Sequence, residues 1–158
     1  MDLTNEENYN SNVFGTYPGA STWTVGNDAG VNENGTNYIA YCFLDIEGYC
    51  KVGTFVGNNN VDGPYVWTGF QPSFIIAKCV ESVSGWDIVD NVRDPYNSVT
   101  QRLYPNSSDA EETASPGVVD FVGSGFKVRT TSGNWNTNGS KHMYLAFAKT
   151  PFKTSNAR

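Results

Sequence analysis

Residues 32–43 read NENGTNYIAYCF, and residues 136–147 read NTNGSKHMYLAF. A chain that writes one segment twice predicts the same local structure twice. Both segments start at Asn, carry Asn-Gly in third and fourth place, and run into an apolar stretch ending in Phe. Asn32 and Asn136 lie 104 residues apart, and upstream Thr22–Val25 matches Gly125–Val128 at a spacing of 103. Asn-Gly is a strong hairpin signal, because a type I′ turn needs two residues that tolerate positive φ. Each copy therefore predicts a hairpin of strand, loop, Asn-Gly turn and long apolar strand. Extended outward, the pattern predicts a whole repeat over 51–152 preceded by half of another over 3–50, with 153–158 as a C-terminal tail. An orphan half-unit has open strand edges and an apolar face. It must add onto the whole copy's sheets or pair with another subunit.

The rest of the chain carries no 3.6-residue period. Short candidate strands recur instead, at Trp23–Val25, Tyr38–Leu44, Cys50–Val56, Tyr65–Phe70, Phe74–Val80, Trp86–Asp90, Gln101–Tyr104, Phe126–Thr130 and His142–Ala148. Turn chemistry such as NDAG, DIEG, NNNVDGP and TSGN separates them. Only Asp109–Ala114 reads as a helical turn. Many short strands at this spacing predict a single all-β domain over 1–158, an antiparallel β-sandwich of jelly-roll or lectin-like kind. Tyr38–Leu44 and Phe74–Ala77 are apolar on both sides. Such strands lie centrally or are covered by a neighbouring subunit.

Composition narrows the functions. With a net charge of −6 and its ten Lys and Arg scattered singly, the chain lacks the basic face that phosphate backbones require. The longest apolar run is far below the ~20 residues of a membrane helix. The start, MDLTNEENYN, is acidic and polar, unlike a secretory signal. Cys42 reads as a small buried hydrophobe. Cys50 and Cys79 could pair only if their strands are neighbours, and no CxxC spacing suggests zinc.

Several blocks, YIAYCFLDIEGYCKVGTFVGN, DGPYVWTGFQPSFIIAK, SGWDIVDNVRDPYN and the ending YLAFAKTPFKTSNAR, together resemble an uncharacterised repeat domain of tailed-bacteriophage virion proteins. That family's members are tail-fibre and surface structural proteins, many from marine phages. The resemblance implies a virion location and no established chemistry.

Residues with catalytic potential each have a plainer reading. His142, the one histidine, stands where Tyr38 stands in the other copy, and reads as an amphipathic strand residue at a sheet edge. Asp87 and Asp90 point to opposite faces of one strand and cannot form a glycosidase pair together. A pair such as Asp87 with Asp120 would be needed. Asn58–Asp62 imitates the start of a calcium loop, but position twelve is Gly69 where a bidentate Glu is required. It reads as a hairpin loop closed by Asp-Gly, with a weak surface calcium site as the minority reading. Aromatic rings edged by Asn and Asp are how sugars are held. The candidate ligand-binding residues are therefore Trp135, Asn134 and Asn136 in the polar loop SGNWNTNG, with Trp67 and Tyr65 after the Asn-rich loop.

These readings predict a non-enzymatic structural module on a tailed-phage virion, as capsid decoration or as a tail-fibre or adhesion protein. It would be assembled in the host cytoplasm and displayed on the particle surface. Its partners would be other virion proteins, itself as a homo-oligomer, and a host surface glycan, with no nucleic acid, membrane insertion, cofactor or metal. A free carbohydrate-binding lectin and a carbohydrate-active enzyme are the alternatives.

Overall fold

The structure is a computed structural model, and it describes residue 13 and residues 22–152. The chain divides into two compact units, one of them Asn8–Cys42, and the cut falls inside the Tyr38–Leu44 run. The start of the half repeat and the tail 153–158 lie outside the described residues.

The larger unit is an all-β antiparallel sandwich. Strands β1 (Cys50–Val56), β9 (Lys141–Ala148), β3 (Pro72–Cys79) and β4 (Asp87–Asp90) form one sheet in that order. Strands β2 (Tyr65–Trp67), β8 (Gly125–Val128) and β7 (Val119–Val122) form the other. A ribbon of β5 (Gln101–Arg102) and β6 (Glu112–Thr113) completes the set. The two-residue period of β9 buries His142, Tyr144, Ala146 and Ala148 and leaves Lys141, Met143, Leu145 and Phe147 half-buried. Phe126 centres the core, its ring meeting Phe55, Tyr144 and Trp135 edge-on at 5.9, 5.3 and 6.5 Å. Val66, Ile75, Val89, Val119 and Phe121 pack around it. Each such side chain contributes roughly 1.5–3 kcal/mol on burial.

The duplicated segment does recur as local structure. A single helical turn, α1 (Ala29–Asn32), has its counterpart 104 residues on in α2 (Gly133–Asn136). Asn32 N donates to Asp28 O at 2.9 Å, and Asn136 N to Ser132 O at 2.7 Å. Asn32 Nδ2 donates to Gly26 O, and Asn136 Nδ2 to Thr130 O, both at 2.8 Å. Thr36 N reaches Glu33 O at 3.2 Å, and Ser140 N reaches Thr137 O at 3.1 Å. All four pairs keep the same offset.

The turns are not the expected type I′ hairpins. Gly35 and Gly139 have φ of +80° and +73°, while their Asn neighbours stay at negative φ. One positive φ at the third position makes a type II turn. Nor does the turn join a hairpin, because β8 and β9 belong to different sheets. The two copies then diverge. The second becomes β9, whereas Tyr38–Leu44 forms no strand, and Val25 contributes only an isolated bridge.

Other expectations shift in smaller ways. Tyr65–Phe70 stops at Trp67, because Gly69 has φ of +86°. Asp109–Ala114 yields a strand, β6, instead of a helical turn, and Gln101–Tyr104 shrinks to β5. The Asn58–Asp62 loop crosses from one sheet to the other, so it closes no hairpin. Cys42 is exposed, against expectation, and all three cysteines are free. Cys50 pairs with Phe147 and Cys79 with His142, placing them five residues apart along β9. That is too far for a disulfide.

Candidate functional site

The loop expected to hold a ligand faces inward. Trp135 is fully buried, with Nε1 donating to Asp87 Oδ2 at 2.8 Å. Asn134 Nδ2 donates to the same carboxylate's Oδ1 at 2.9 Å. Asn136 is also fully buried, accepting from Asn58 N at 2.7 Å and donating to Asn60 O at 2.8 Å. These side chains tie the Asn-rich loop to α2. The polar residues around Trp135 signalled exposure because isolated Asn prefers water, but here buried backbone groups take its place. Trp135 offers no ring face to a ligand.

Asp87 was missed as the anchor of this cluster. Burial raises its carboxyl above the ordinary range, and hydrogen bonds from Asn134 and Trp135 with the charge of Arg102 oppose the rise. Its Oδ2 lies 3.4 Å from Arg102, whose other arm reaches Glu112 at 2.6 Å. Asp120 sits on the other sheet, held by Arg129 at 2.5 Å and Ser98 at 2.6 Å. Asp87 faces the core and Asp120 the outside, so the two do not converge on one cleft.

His142 is not at a sheet edge. It lies on β9 between β1 and β3, fully buried, stacked on Phe55 at 5.2 Å. Nδ1 faces Asn134 O at 3.1 Å, which assigns the proton to Nδ1. Nε2 has no partner. Burial holds its pKa below the ordinary value, despite the favourable carbonyls.

Asn58–Asp62 uses its side chains as turn-makers. Asn58 Oδ1 accepts from Asn60 N at 3.0 Å, and Asn60 Oδ1 from Asp62 N at 2.8 Å. Asp62 pairs with Lys127 at 2.8 Å.

Tyr65 and Trp67 do stand outside, with Val66 buried between them. Tyr65 Oη and Ser124 Oγ are 2.7 Å apart. Trp67 is 62% exposed and borders a cleft of about 290 Å³ shared with Asp45, Glu47, Lys51, Thr68 and Gly69. Lys51 and Asp45 pair at 2.6 Å, and that bond lowers the carboxyl's pKa. A ring face beside a carboxylate and an ammonium suits a hydroxylated ligand.

The outer faces of the two sheets differ sharply. On the three-stranded sheet, Tyr65, Lys127 and Asp120 form one cross-strand row, laced by ion pairs. On the four-stranded sheet, Val52, Leu145, Ile76 and Ile88 form an uninterrupted apolar row. Beside it Phe147 meets Phe43, Tyr49 and Phe74 at 6.1, 5.9 and 5.9 Å. Val52 is 38% exposed, and the other three of its row are half-buried. A solvated face normally alternates polar residues outward, and this one does not. Tyr38–Leu44 is exposed at every residue, although Phe43 meets Phe147 and Tyr38 Oη donates to Ala29 O at 2.5 Å.

Among the described residues no helix is long and apolar enough to cross a membrane. No curated protein and no solved structure matches the chain significantly. A family model covers residues 1–151, nearly the whole length, so the chain belongs to the family described as Domain of unknown function (DUF7483).

Proposed function

We propose that the protein is a non-enzymatic structural module on the surface of a tailed-phage virion, serving as capsid decoration or in a tail fibre. It acts by packing subunits together. The observation that carries this reading is the Val52–Leu145–Ile76–Ile88 row, an apolar sheet face left partly open to water. Exposed contiguous apolar surface of this kind marks interaction sites. The resemblance to virion repeat domains supplies the setting, in which many copies meet at high local concentration.

Purified particles decorated with a gold-labelled antibody to the chain test the location. Regular labelling on shell or fibre is the expected result, and particles free of the protein would refute it. Packing is tested by Ile76→Lys, which should abolish self-association while leaving the thermal melt cooperative.

A free lectin is the second reading, favoured by the exposed Trp67 ring beside the Asp45–Lys51 pair. Binding on a glycan array that disappears in Trp67→Ala would support it. A flat array would remove it.

A further inference from the structure

His142–Ala148 shows what the duplicated sequence becomes when it has neighbours. It lies as a central strand between β1 and β3, hydrogen-bonded on both sides. Tyr38–Leu44 follows the same helical turn and the same type II turn, yet forms no strand. Its residues carry no charge, and Ile39, Tyr41 and Leu44 are 79, 80 and 74% exposed. A strand apolar on both faces is stable only inside a sheet.

Of the four-stranded sheet's two edges, one is open beyond its start among the described residues. The outer edge of β4 is taken by Leu103, which exchanges two backbone bonds with Ile88 at 2.8 and 3.0 Å. The outer edge of β1 is taken only at its start. Cys50 N turns to Ile46 O at 3.1 Å, and Val52 N to Asp45 Oδ1 at 2.7 Å. Alternation along the strand directs the backbone groups of Thr54 and Val56 to the same side. No partner meets them there among the described residues.

Within the larger unit, the ladder that leads toward this edge is cut short. Ile46 and Cys50 begin an antiparallel ladder, which the carbonyl of Leu44 would continue at Val52 N. The Asp45 carboxylate occupies that donor instead, pinned by Lys51 at 2.6 Å. The ladder stops there, and the edge beyond stays open to a strand from elsewhere.

We infer that Tyr38–Leu44 of one copy adds as an antiparallel strand to the Thr54–Val56 edge of a second copy. Each chain then offers one donor strand and one acceptor edge, the arrangement of strand addition. Reciprocal donation closes a dimer, and serial donation builds a ring or filament. This rests on the packing role proposed above and adds a second contact, at the sheet edge, to the apolar face that carries it.

The test uses the full chain and three variants. The first, Ile39→Lys with Tyr41→Lys, alters only exposed side chains and should fold. Light scattering should show wild type at twice the mass of one chain or more, and this variant at one. The second, Thr54→Cys, tests the register in which the added strand keeps the Ile46–Cys50 pairing and so sets Cys42, the one exposed cysteine of the native chain, opposite Thr54. Mild oxidation should give a disulfide-linked pair of chains on a non-reducing gel. A disulfide confined within one chain, or none, would overturn the inference. So would a double-Lys variant that associates like wild type. If in that case Ile76→Lys is monomeric, the packing role survives without strand exchange. A monomeric wild type removes both.

Discussion

At the residue scale, His142 makes the fold acid-sensitive. Its folded pKa lies below its unfolded value of about 6.5. The unfolded chain therefore binds the proton first as pH falls. Stability from the neutral imidazole is fully present above about pH 6.5 and is lost as pH drops through the depressed folded pKa. His142→Phe keeps the ring stack on Phe55 and removes the titration. Thermal melts from pH 7 to 5 should fall for wild type and stay flatter for the variant; parallel curves would refute this. Asp87 works in the opposite sense, since its raised pKa means protonation on acidification favours the fold. Trp135→Phe removes a donor from that buried carboxylate, and urea melts should show a loss of about 1–3 kcal/mol. Neither role was legible in sequence. His142 could be aligned with Tyr38, but its depth depends on β1 and β3 closing over it.

At the element scale, strands with strong patterns were readable. Cys50–Val56 has the bounds expected of it, and His142–Ala148 starts one residue earlier. The misses have physical causes. Glu111 and Glu112 resemble helix formers, but Arg93, Arg102 and Tyr104 capture them and hold the segment extended. Strand β7 was overlooked although Gly123-Ser124, a recognised two-residue turn, joins it to β8. The joint between β1 and α2 also hides from sequence, because it depends on close backbone approach. A Cβ at Gly57 would lie 2.3 Å from Thr137 O, within the seam where Gly57 N donates to Ser140 O and Gly139 N to Gly57 O. Gly57→Ala should therefore cost about 1–3 kcal/mol in a urea melt. At Gly139 nothing would touch a Cβ, and only its φ of +73° resists substitution. Gly139→Asn should be tolerated better than Gly139→Val, because Asn visits that region.

At the scale of the whole molecule, two apolar surfaces stay open to water among the described residues: the row of the four-stranded sheet and the run 38–44. The sequence already marked both, as segments apolar on each side. What it could not reveal was that one face of Phe74–Ala77 fills the core while the other stays half-open. Net charge opposes association, at −6 per chain. Salt shortens the Debye length from ~10 Å at 0.1 M to ~3 Å at 1 M. Raising it should strengthen self-association measured by sedimentation; dissociation in salt would point to ion pairs as the cement instead.

Amide hydrogen exchange followed across a dilution series measures the state of 38–44 directly. In concentrated samples these amides should be protected as those of His142–Ala148 are, and on dilution they should exchange at open-chain rates. Open-chain exchange at every concentration, in a protein that nevertheless melts cooperatively, would contradict the account.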